Sequence, residues 1–240
     1  MGAMEGILIV DKPAGWTSHD VCAFVRKQFK IKKVGHAGTL DPMATGVLVL
    51  LLGSATKQSQ QLSASDKEYA GNFELGVKTD SHDRTGKILE QAPWEDITCE
   101  KILEGMEKFK GEILQEPPMV SALKHQGVRL YELARKGLSV PREKRPITIY
   151  RWDLLKKEGR SVEFSCRVSK GTYLRTLVHD LGEWLGCFAV LSALKRTASG
   201  PYVIENSVTV DALRTMTPEA LQKRIVPAAL PANHANLHAR

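Results

Sequence analysis

Apolar residues recur along the 240-residue chain with two different spacings, which predict strands and helices in a mixed order. Short continuous apolar runs predict buried strands, and an apolar residue at every second position predicts a strand with one buried face. At residues 69–77 that face would carry Tyr69, Gly71, Phe73 and Leu75. The segments with either strand pattern are 6–10, 47–52, 69–77, 147–156 and 162–168.

Helices are predicted where apolar residues follow the 3.6-residue period, most clearly behind a Ser or Thr that can cap the first turn. In the helix at 98–109, Ile102, Leu103 and Met106 would form the apolar side. The predicted helices cover about 17–29, a polar stretch opened by Ser54, 98–109, 130–136, 173–185 and a stretch from Pro218. Because strands and helices interleave without a strict βαβ rhythm, we predict an α+β fold with a mixed, largely antiparallel central sheet flanked by helices.

The chain length fits one large domain with a short appendage. We expect a leader at residues 1–4, a main domain at 5–215 and a short C-terminal extension at 216–240. No apolar run approaches the ~18 residues of a membrane span, and the first residues lack the basic start and apolar centre of a signal peptide. The four cysteines lie far apart, which argues against a disulfide framework or a zinc ribbon. These features predict a cytoplasmic protein with no membrane partner.

Basic residues outnumber acidic ones by 34 to 27, which gives a net charge of +7. A mixed cluster covers residues 142–145, and a stronger one lies just before a glycine-rich loop. Such charges usually form a solvated surface, but beside a functional loop they would attract the phosphates of RNA. The cations of the stronger cluster are Arg26, Lys27, Lys30, Lys32 and Lys33.

The glycine-rich loop, GHAGTLDPMATGVL at residues 35–48, holds the most informative polar side chains. Gly35 and Gly38 allow the backbone to approach a ligand closely, and Pro42 restricts the backbone of Asp41. An aspartate in such a turn usually has a structural role, so structural and catalytic roles for Asp41 both remain open. A phosphate-binding loop is excluded, because the Gly-Lys-Ser/Thr ending and the GxGxxG spacing are absent.

Seven segments, taken in order, resemble the TruB family of tRNA pseudouridine synthases over about residues 5–215. They are GILIVDKPAGW (6–16), the loop at 35–48, GSATK (53–57), DKEY (66–69), the polar stretch at 79–86, PPMVSALKHQGVRLYELARKG (117–137) and KGTYLRTL (170–177). The resemblance implies the pseudouridine synthase fold and isomerisation of the T-loop uridine at tRNA position 55 by base flipping. It also implies no cofactor, no metal, the tRNA T-arm as partner, and a monomer.

The same resemblance assigns site residues. Asp41 matches the essential aspartate, which initiates breakage of the N-glycosidic bond and must be ionised to act as nucleophile or base. Arg175 matches the arginine that keeps the pKa of that aspartate low, and Tyr69 matches the tyrosine that stacks on the target base. His36 matches a histidine that fills the space left by the extruded nucleotide. Three further residues match positions near the pocket or the RNA: Lys57, Leu194 and Asp80.

Two features depart from the family pattern. Val120 stands where members often carry an aromatic residue, which we interpret as a change in packing. About 25 residues follow Leu213, too few for the PUA domain that bacterial relatives usually add after the catalytic domain. We therefore expect that domain to be missing from this chain.

Two other functional classes remain open. A non-catalytic tRNA-binding or tRNA-folding protein could use the same pocket without turnover. A metal-dependent nuclease could use Asp41, Asp80, Asp83 and His36 as ligands. Joint retention of the three matched catalytic residues favours the synthase, because phosphate binding alone needs no buried carboxylate.

Overall fold

The structure is a computed structural model, and it describes residues 4–121, 123–135, 137–138 and 140–228. Its helices are α1 (Ser18–Gln28), α2 (Ser59–Ser63), α3 (Cys99–Lys108), α4 (Leu130–Arg135), α5 (Leu174–Leu185), α6 (Val210–Thr215) and α7 (Pro218–Gln222). Its strands are β1 (Gly6–Lys12), β2 (Val34–Ala37), β3 (Thr45–Leu52), β4 (Lys67–Leu75), β5 (Val77–Thr79), β6 (Ile88–Gln91), β7 (Gly111–Gln115), β8 (Lys124–His125), β9 (Val128–Arg129), β10 (Arg145–Glu158), β11 (Ser161–Val168), β12 (Ala189–Ser199), β13 (Tyr202–Val203) and β14 (Val208–Thr209). No helix in the described residues is long and apolar enough to cross a membrane.

The chain divides into two compact units. The first contains Met1–Glu68 and Lys195–Arg240, and the second contains Tyr69–Leu194. Strands β4 and β12 each run from one unit into the other along the chain. Two strand pairs are parallel, β1 with β14 and β3 with β12. Antiparallel pairing joins β3 to β1 and to β2, and β10 to β11 and to β7. It also joins β5 to β6 and β8 to β9 in two short ribbons. This confirms the predicted α+β class with a mixed, largely antiparallel sheet.

Strand β3 lies at the centre of the first unit. One of its edges pairs with β1, and the other pairs with β2 and, near Thr45, with β12. Alternate residues of β1 and β3 enter two different apolar clusters, one of them shared with α1 and α6. Because both faces of β3 are buried, its sequence is continuously apolar rather than alternating.

The first helix begins as the sequence predicts, whereas the second does not. The backbone N–H of Thr17 donates to Asp20 Oδ2 at 2.8 Å and that of Asp20 donates to Thr17 Oγ1 at 3.0 Å, which forms a capping box. Ser54 was expected to open a helix. Instead it lies in a 3-10 turn, Gly53–Gln58, that precedes α2, and its hydroxyl donates to Glu5 at 2.7 Å.

The second unit packs its sheet around aromatic side chains. Tyr69, Gly71, Phe73 and Leu75 are buried on one face of β4, as predicted, and Lys67 is buried on the same face. The ring of Phe73 lies 5.9 Å from that of Phe164 on β11, measured between centroids. The leucine side chains along α5 are buried, so this helix contributes to the core, and it also carries the site residue discussed below.

Besides the helix start at Ser54, three predictions about the elements were wrong and one strand was missed. Val77 begins β5 rather than ending β4, because Gly76 between them has a φ of +89°. Leu103 on α3 is 47% exposed and lies outside the core. Strand β2 occupies part of the predicted glycine-rich loop, since its backbone pairs with β3. Strand β12 was not predicted at all.

The helix predicted from Pro218 is confirmed as α7, and the chain beyond it returns to the first strand. The Ile7 and Val226 backbones exchange two hydrogen bonds of 2.9 Å. The described part of the predicted C-terminal extension therefore packs within the first unit. Residues 1–3 of the predicted leader, Lys136 of the predicted helix and residues 229–240 lie outside the described residues.

Candidate functional site

Asp41 lies in the connection between β2 and β3, here named the Asp41 loop (residues 38–44). Gly38 begins this loop with a φ of +85°, a conformation that a side chain would strain. The Ala44 N–H donates to the Asp41 carbonyl at 3.1 Å, which closes a turn around Pro42. Asp41 is half-buried. The backbone on each side of its carboxylate is therefore fixed by local geometry, and more distant residues add to it.

Lys12 at the end of β1 holds the C-terminal side of the Asp41 loop. Its side chain is fully buried, and Nζ donates to the carbonyls of Pro13, Trp16 and Pro42 at 2.9, 2.7 and 3.2 Å. Three acceptors match the three N–H bonds of an ammonium. Burial lowers the pKa of Lys12 from 10.5 to about 8, and the negative charge of Asp41 opposes that change.

Arg196 on β12 holds the N-terminal side of the Asp41 loop. It is 1% exposed, and its guanidinium donates to the carbonyls of Val47, Gly38 and Thr39 at 2.7, 3.1 and 3.4 Å. A Cβ at Gly46 would lie 2.2 Å from the Arg196 carbonyl oxygen, so only glycine permits this approach. Arg196 thus links the start of the Asp41 loop, and the strand β3 that follows the loop, to β12.

Ser18 in the first turn of α1 holds the middle of the Asp41 loop. The Leu40 N–H donates to Ser18 Oγ at 2.9 Å, and that hydroxyl donates to the Leu40 carbonyl at 3.2 Å. Sequence reasoning missed Lys12, Arg196 and Ser18. Lys12 lies within the GILIVDKPAGW segment that carried the resemblance and Ser18 follows it by two residues, so this motif was the available signal.

His36 lies on β2, half-buried, and not in a loop as the sequence suggested. Burial, followed by the positive charges of Arg196 and His19, lowers the pKa of His36, so its imidazole is neutral at neutral pH. Its Nδ1 is buried and has no hydrogen-bond partner among the described residues. Lys57 is exposed in the 3-10 turn after β3.

The five predicted RNA-contacting cations are all exposed and are here named the basic patch. They lie at the end of α1 and in the segment before β2, while Phe29 and Ile31 between them are buried. The buried side chains of Phe29 and Ile31 fix the backbone of this segment, so the charged side chains around them face solvent. The members of the basic patch are Arg26, Lys27, Lys30, Lys32 and Lys33.

In the second unit, Arg175 near the start of α5 is 2% exposed, so it is not a surface cation. Its guanidinium donates to the carbonyls of Ser81 and Val120, both at 2.9 Å. Val120 therefore contributes its backbone to this network, while its side chain is 40% exposed. The Nε of Arg175 lies 3.7 Å from Asp83 Oδ2.

Asp83 completes the same network and was considered in the sequence only as a metal ligand. Its Oδ1 accepts hydrogen bonds from the Ser81 hydroxyl at 2.8 Å and from the Thr85 N–H and hydroxyl at 2.9 and 2.6 Å. Asp80 is exposed, and its Oδ1 accepts from the Lys87 N–H at 2.9 Å. The carboxylates of Asp80 and Asp83 thus order the polar loop that precedes β6. The Ser81 carbonyl of this loop accepts a hydrogen bond from the buried guanidinium of Arg175.

His82, between Ser81 and Asp83, stacks on His179 of α5 with ring centroids 3.8 Å apart and planes at 6°. Burial, with the charges of His179 and Arg175 next, lowers the pKa of His82 to about 3. His82 also has a φ of +61°. The stacked, neutral ring of His82 thus holds its residue in a strained backbone conformation, next to Ser81, whose carbonyl contacts Arg175.

Tyr69 and Leu194, the remaining predicted site residues, are 9% and 8% exposed, on β4 and β12 respectively. The first unit therefore joins Asp41 to Lys12 and Arg196, and the second joins Arg175 to Asp83. In the residues that the structure describes, no three His, Cys, Asp or Glu side chains are arranged to hold a metal ion.

Comparisons with known proteins bear on the same chain. Residues 26–174 match the N-terminal domain of the TruB family of pseudouridylate synthases, and residues 175–230 match the C-terminal domain of tRNA pseudouridylate synthase B. The chain is 46% identical to the tRNA pseudouridine synthase B of Opitutus terrae, covering 93% of each protein. It is 50% identical to that of Geotalea uraniireducens, covering 87% of this chain and 67% of the relative.

Solved structures give the same result. A Cbf5-Nop10-Gar1 complex contains a chain that is 34% identical with a TM-score of 0.75, covering 94% of this chain. An H/ACA RNP bound to a substrate RNA containing 2'-deoxyuridine contains one that is 31% identical with a TM-score of 0.71, again covering 94% of this chain. This chain spans about three fifths of those two, 61% and 60%. The family match extends over most of its length, and the chain belongs to the TruB family of pseudouridylate synthases.

Proposed function

We propose that this protein isomerises the T-loop uridine at position 55 of tRNA to pseudouridine, with Asp41 as the catalytic carboxylate. Family membership and relatives named tRNA pseudouridine synthase B support pseudouridine formation. The observation that carries the role of Asp41 is its loop, whose backbone is held by Lys12, Ser18 and Arg196. A carboxylate held in place before substrate arrives is what positioning catalysis requires.

The reaction moves one bond and exchanges protons without a net redox change. The C1′–N1 bond breaks, the uracil rotates, a C1′–C5 bond forms, C5 loses its proton and N1 gains one. Asp41 can serve as an ionised nucleophile at C1′ or as a base at C2′, and neither route needs a cofactor or a metal. The target base must first leave its stack, which costs a few kcal/mol for a stacked base.

The remaining matched residues take supporting roles in the proposal. Arg175 supplies the cation that the family resemblance pairs with the aspartate, and Tyr69 supplies a ring for stacking on the base. His36, neutral by virtue of its lowered pKa, fills the place of the extruded nucleotide without adding charge. Lys57, Asp80 and Leu194 are proposed to lie near the base or its flanking nucleotides.

The basic patch is proposed to contact phosphates of the tRNA T-arm, in a protein that acts as a monomer in the cytoplasm. Exposed Lys and Arg side chains release counterions from RNA when they bind it, so affinity should fall as salt rises. Replacing two of the lysines, Lys32 and Lys33, by Gln should flatten the dependence of log K on log salt by about one unit or more.

The deciding experiment is release of tritium from C5-labelled uridine in a tRNA transcript. Wild-type protein is compared with Asp41→Asn and with Asp96→Asn, an exposed aspartate in the second unit that serves as the matched control. Release by wild type and by Asp96→Asn, with none by Asp41→Asn, supports the proposal. A transcript with cytidine at position 55 should release nothing above background, since the target is then missing.

Two outcomes would count against the proposal. Tight tRNA binding without tritium release by the wild type would favour a non-catalytic RNA-binding protein. Release by Asp41→Asn at the wild-type rate would remove Asp41 from the mechanism while leaving the synthase activity in place.

A further inference from the structure

A cavity of about 520 Å³ lies in the first unit beside the strand ends that support the Asp41 loop. Its floor is formed where β1, β3 and β14 come together, with Asp11 paired to Thr209 and to Val47 along the backbone. The volume lies within the ~300–1,000 Å³ range of small-ligand pockets. The residues lining it are Asp11, Lys12, Pro13, Trp16, Thr45, Lys195, Thr209, Val210, Asp211 and Arg214.

Two charged groups of this cavity have no partner in the described part of the chain. The Asp11 carboxylate, half-buried, and the Lys195 ammonium, exposed, each form no hydrogen bond and no ion pair with a described residue. By contrast, Arg214 is engaged, because its Nε lies 3.3 Å from Asp211 Oδ1. An unpaired acceptor and an unpaired cation at one cavity form a complementary pair for a ligand that has both a donor and a negative charge.

The cavity also has an aromatic wall. The ring of Trp16 meets that of Phe24 edge-on at 5.9 Å. The guanidinium of Arg214 lies 5.8 Å from the Trp16 ring centroid and 5.4 Å from that of Phe24. Indole rings and guanidinium planes are the surfaces on which bases of single-stranded RNA stack.

We propose that this cavity binds one nucleotide of the RNA substrate, other than the uridine that reacts. The base packs against Trp16 and Arg214, the phosphate contacts Lys195, and an exocyclic amino group donates to Asp11. An ionised carboxylate only accepts hydrogen bonds, so it suits the exocyclic amino group of adenine, cytosine or guanine. Uracil has no amino group and offers only its ring N3–H, so it should bind more weakly. The inference rests on the proposed function in one respect, since it takes the RNA substrate from there.

The cavity shares residues with the support of the Asp41 loop. Lys12 lines the cavity and donates to Pro42 in that loop, and Lys195 on β12 pairs with Thr45 just after the loop. Within this unit, therefore, a nucleotide in the cavity would lie next to the backbone that carries Asp41. RNA held there would fix the register of the strand before the target base is processed.

The test measures tRNA binding in an Asp41→Asn background, so that catalysis is not needed for a result. Asp11→Asn and Lys195→Gln are compared with Lys223→Gln, an exposed cation of the same unit outside the cavity. We expect each cavity variant to weaken tRNA binding about tenfold at fixed salt, and Lys223→Gln to leave it within twofold. Trp16→Ala should weaken it similarly and Trp16→Phe much less, and thermal denaturation checks that each variant is folded.

A second measurement separates RNA from free nucleotides. GMP, AMP, CMP and UMP are titrated against the protein, with tRNA displacement as the readout. Displacement by a nucleotide with an amino group but not by UMP, lost in Asp11→Asn, supports the proposal. Three outcomes would overturn it. The first is equal weakening of tRNA binding by Lys195→Gln and Lys223→Gln, and the second is wild-type binding by all cavity variants. The third is a nucleotide that binds the cavity without competing with tRNA.

Discussion

The buried ammonium of Lys12 provides a prediction in which stability and activity should separate. In Lys12→Met the three carbonyls of Pro13, Trp16 and Pro42 lose their donor, and a side chain of similar length fills the space. Of the three, only the Pro42 carbonyl belongs to the Asp41 loop. The substitution therefore removes a support of Asp41 without touching its carboxylate.

The two effects on stability oppose each other. Lowering the pKa of Lys12 from 10.5 to about 8 corresponds to a cost of about 3 kcal/mol at neutral pH, at ~1.36 kcal/mol per pH unit. At ~1.5 kcal/mol each, the lower end of the range for a charged donor, the three hydrogen bonds together contribute about 4–5 kcal/mol. We therefore expect Lys12→Met to change the free energy of unfolding at pH 7 by under about 2 kcal/mol. Misplacement of Asp41 should lower kcat by about 10- to 100-fold.

The dependence on pH has opposite signs for the two quantities. Below pH 8 both the folded and the unfolded chain hold the Lys12 proton, so the folded state bears the full cost of burial. Between pH 8 and 10.5 the unfolded chain binds a proton that the folded chain has released, so wild-type stability rises relative to Lys12→Met. Activity should instead fall above pH 8, because a neutral amine has two N–H donors for three carbonyls.

The assays are single-turnover tritium release and urea denaturation from pH 6.5 to 10, with Lys223→Met as an exposed control. Wild type and the control should lose activity around pH 8, and Lys12→Met should be slow and insensitive to pH in that region. A variant that unfolds in the buffer at pH 7, or one that keeps wild-type kcat, would refute the reasoning, as would a wild-type rate that is unchanged across pH 8.

Two further predictions concern the other supports. Asp83→Asn removes a carboxylate that lies 3.7 Å from the buried guanidinium of Arg175. We expect the free energy of unfolding to fall by about 1–3 kcal/mol and single-turnover tritium release to slow at least tenfold, while Asp96→Asn changes neither. Gly46→Ala would place a Cβ 2.2 Å from the Arg196 carbonyl oxygen at a φ of +96°, whereas Gly171→Ala at +80° meets nothing within 4 Å. Since both carry strain of about 1–2 kcal/mol, urea denaturation should show an extra loss of about 1–3 kcal/mol only for Gly46→Ala; equal losses would rule out the clash.

The elements that could be predicted from sequence are those whose pattern is local. Strand β3 is a continuous apolar run, and α1 begins with a capping box, so both were predicted close to their observed bounds. Strand β2 has only four residues, Val34–Ala37, and becomes a strand because β3 supplies its partners. Leu103 has the helical spacing of a core residue, but α3 buries a narrower face than the pattern suggested.

In the candidate site, too, the residues with a local sequence signal were predicted and those that depend on distant contacts were not. Asp41 was found because glycines and a proline mark its loop, and the family resemblance supplied Arg175 and Tyr69. Lys12 and Arg196 were missed because a strand lysine or arginine normally lies at the surface, whereas here each donates to a carbonyl of a distant segment, Pro42 for Lys12 and Val47 for Arg196. Those partners depend on the tertiary fold, which the sequence pattern does not contain.

The discontinuity of the first unit has a consequence for the order in which the protein matures during synthesis. Its N-terminal segment, with the Asp41 loop, Lys12 and Ser18, leaves the ribosome before the whole second unit, and Arg196 follows only after it. Until β12 is made, the carbonyls of Gly38 and Thr39 lack the guanidinium that holds them. The loop is therefore completed late, so nascent chains shorter than about 200 residues can carry the basic patch but not a finished Asp41 loop.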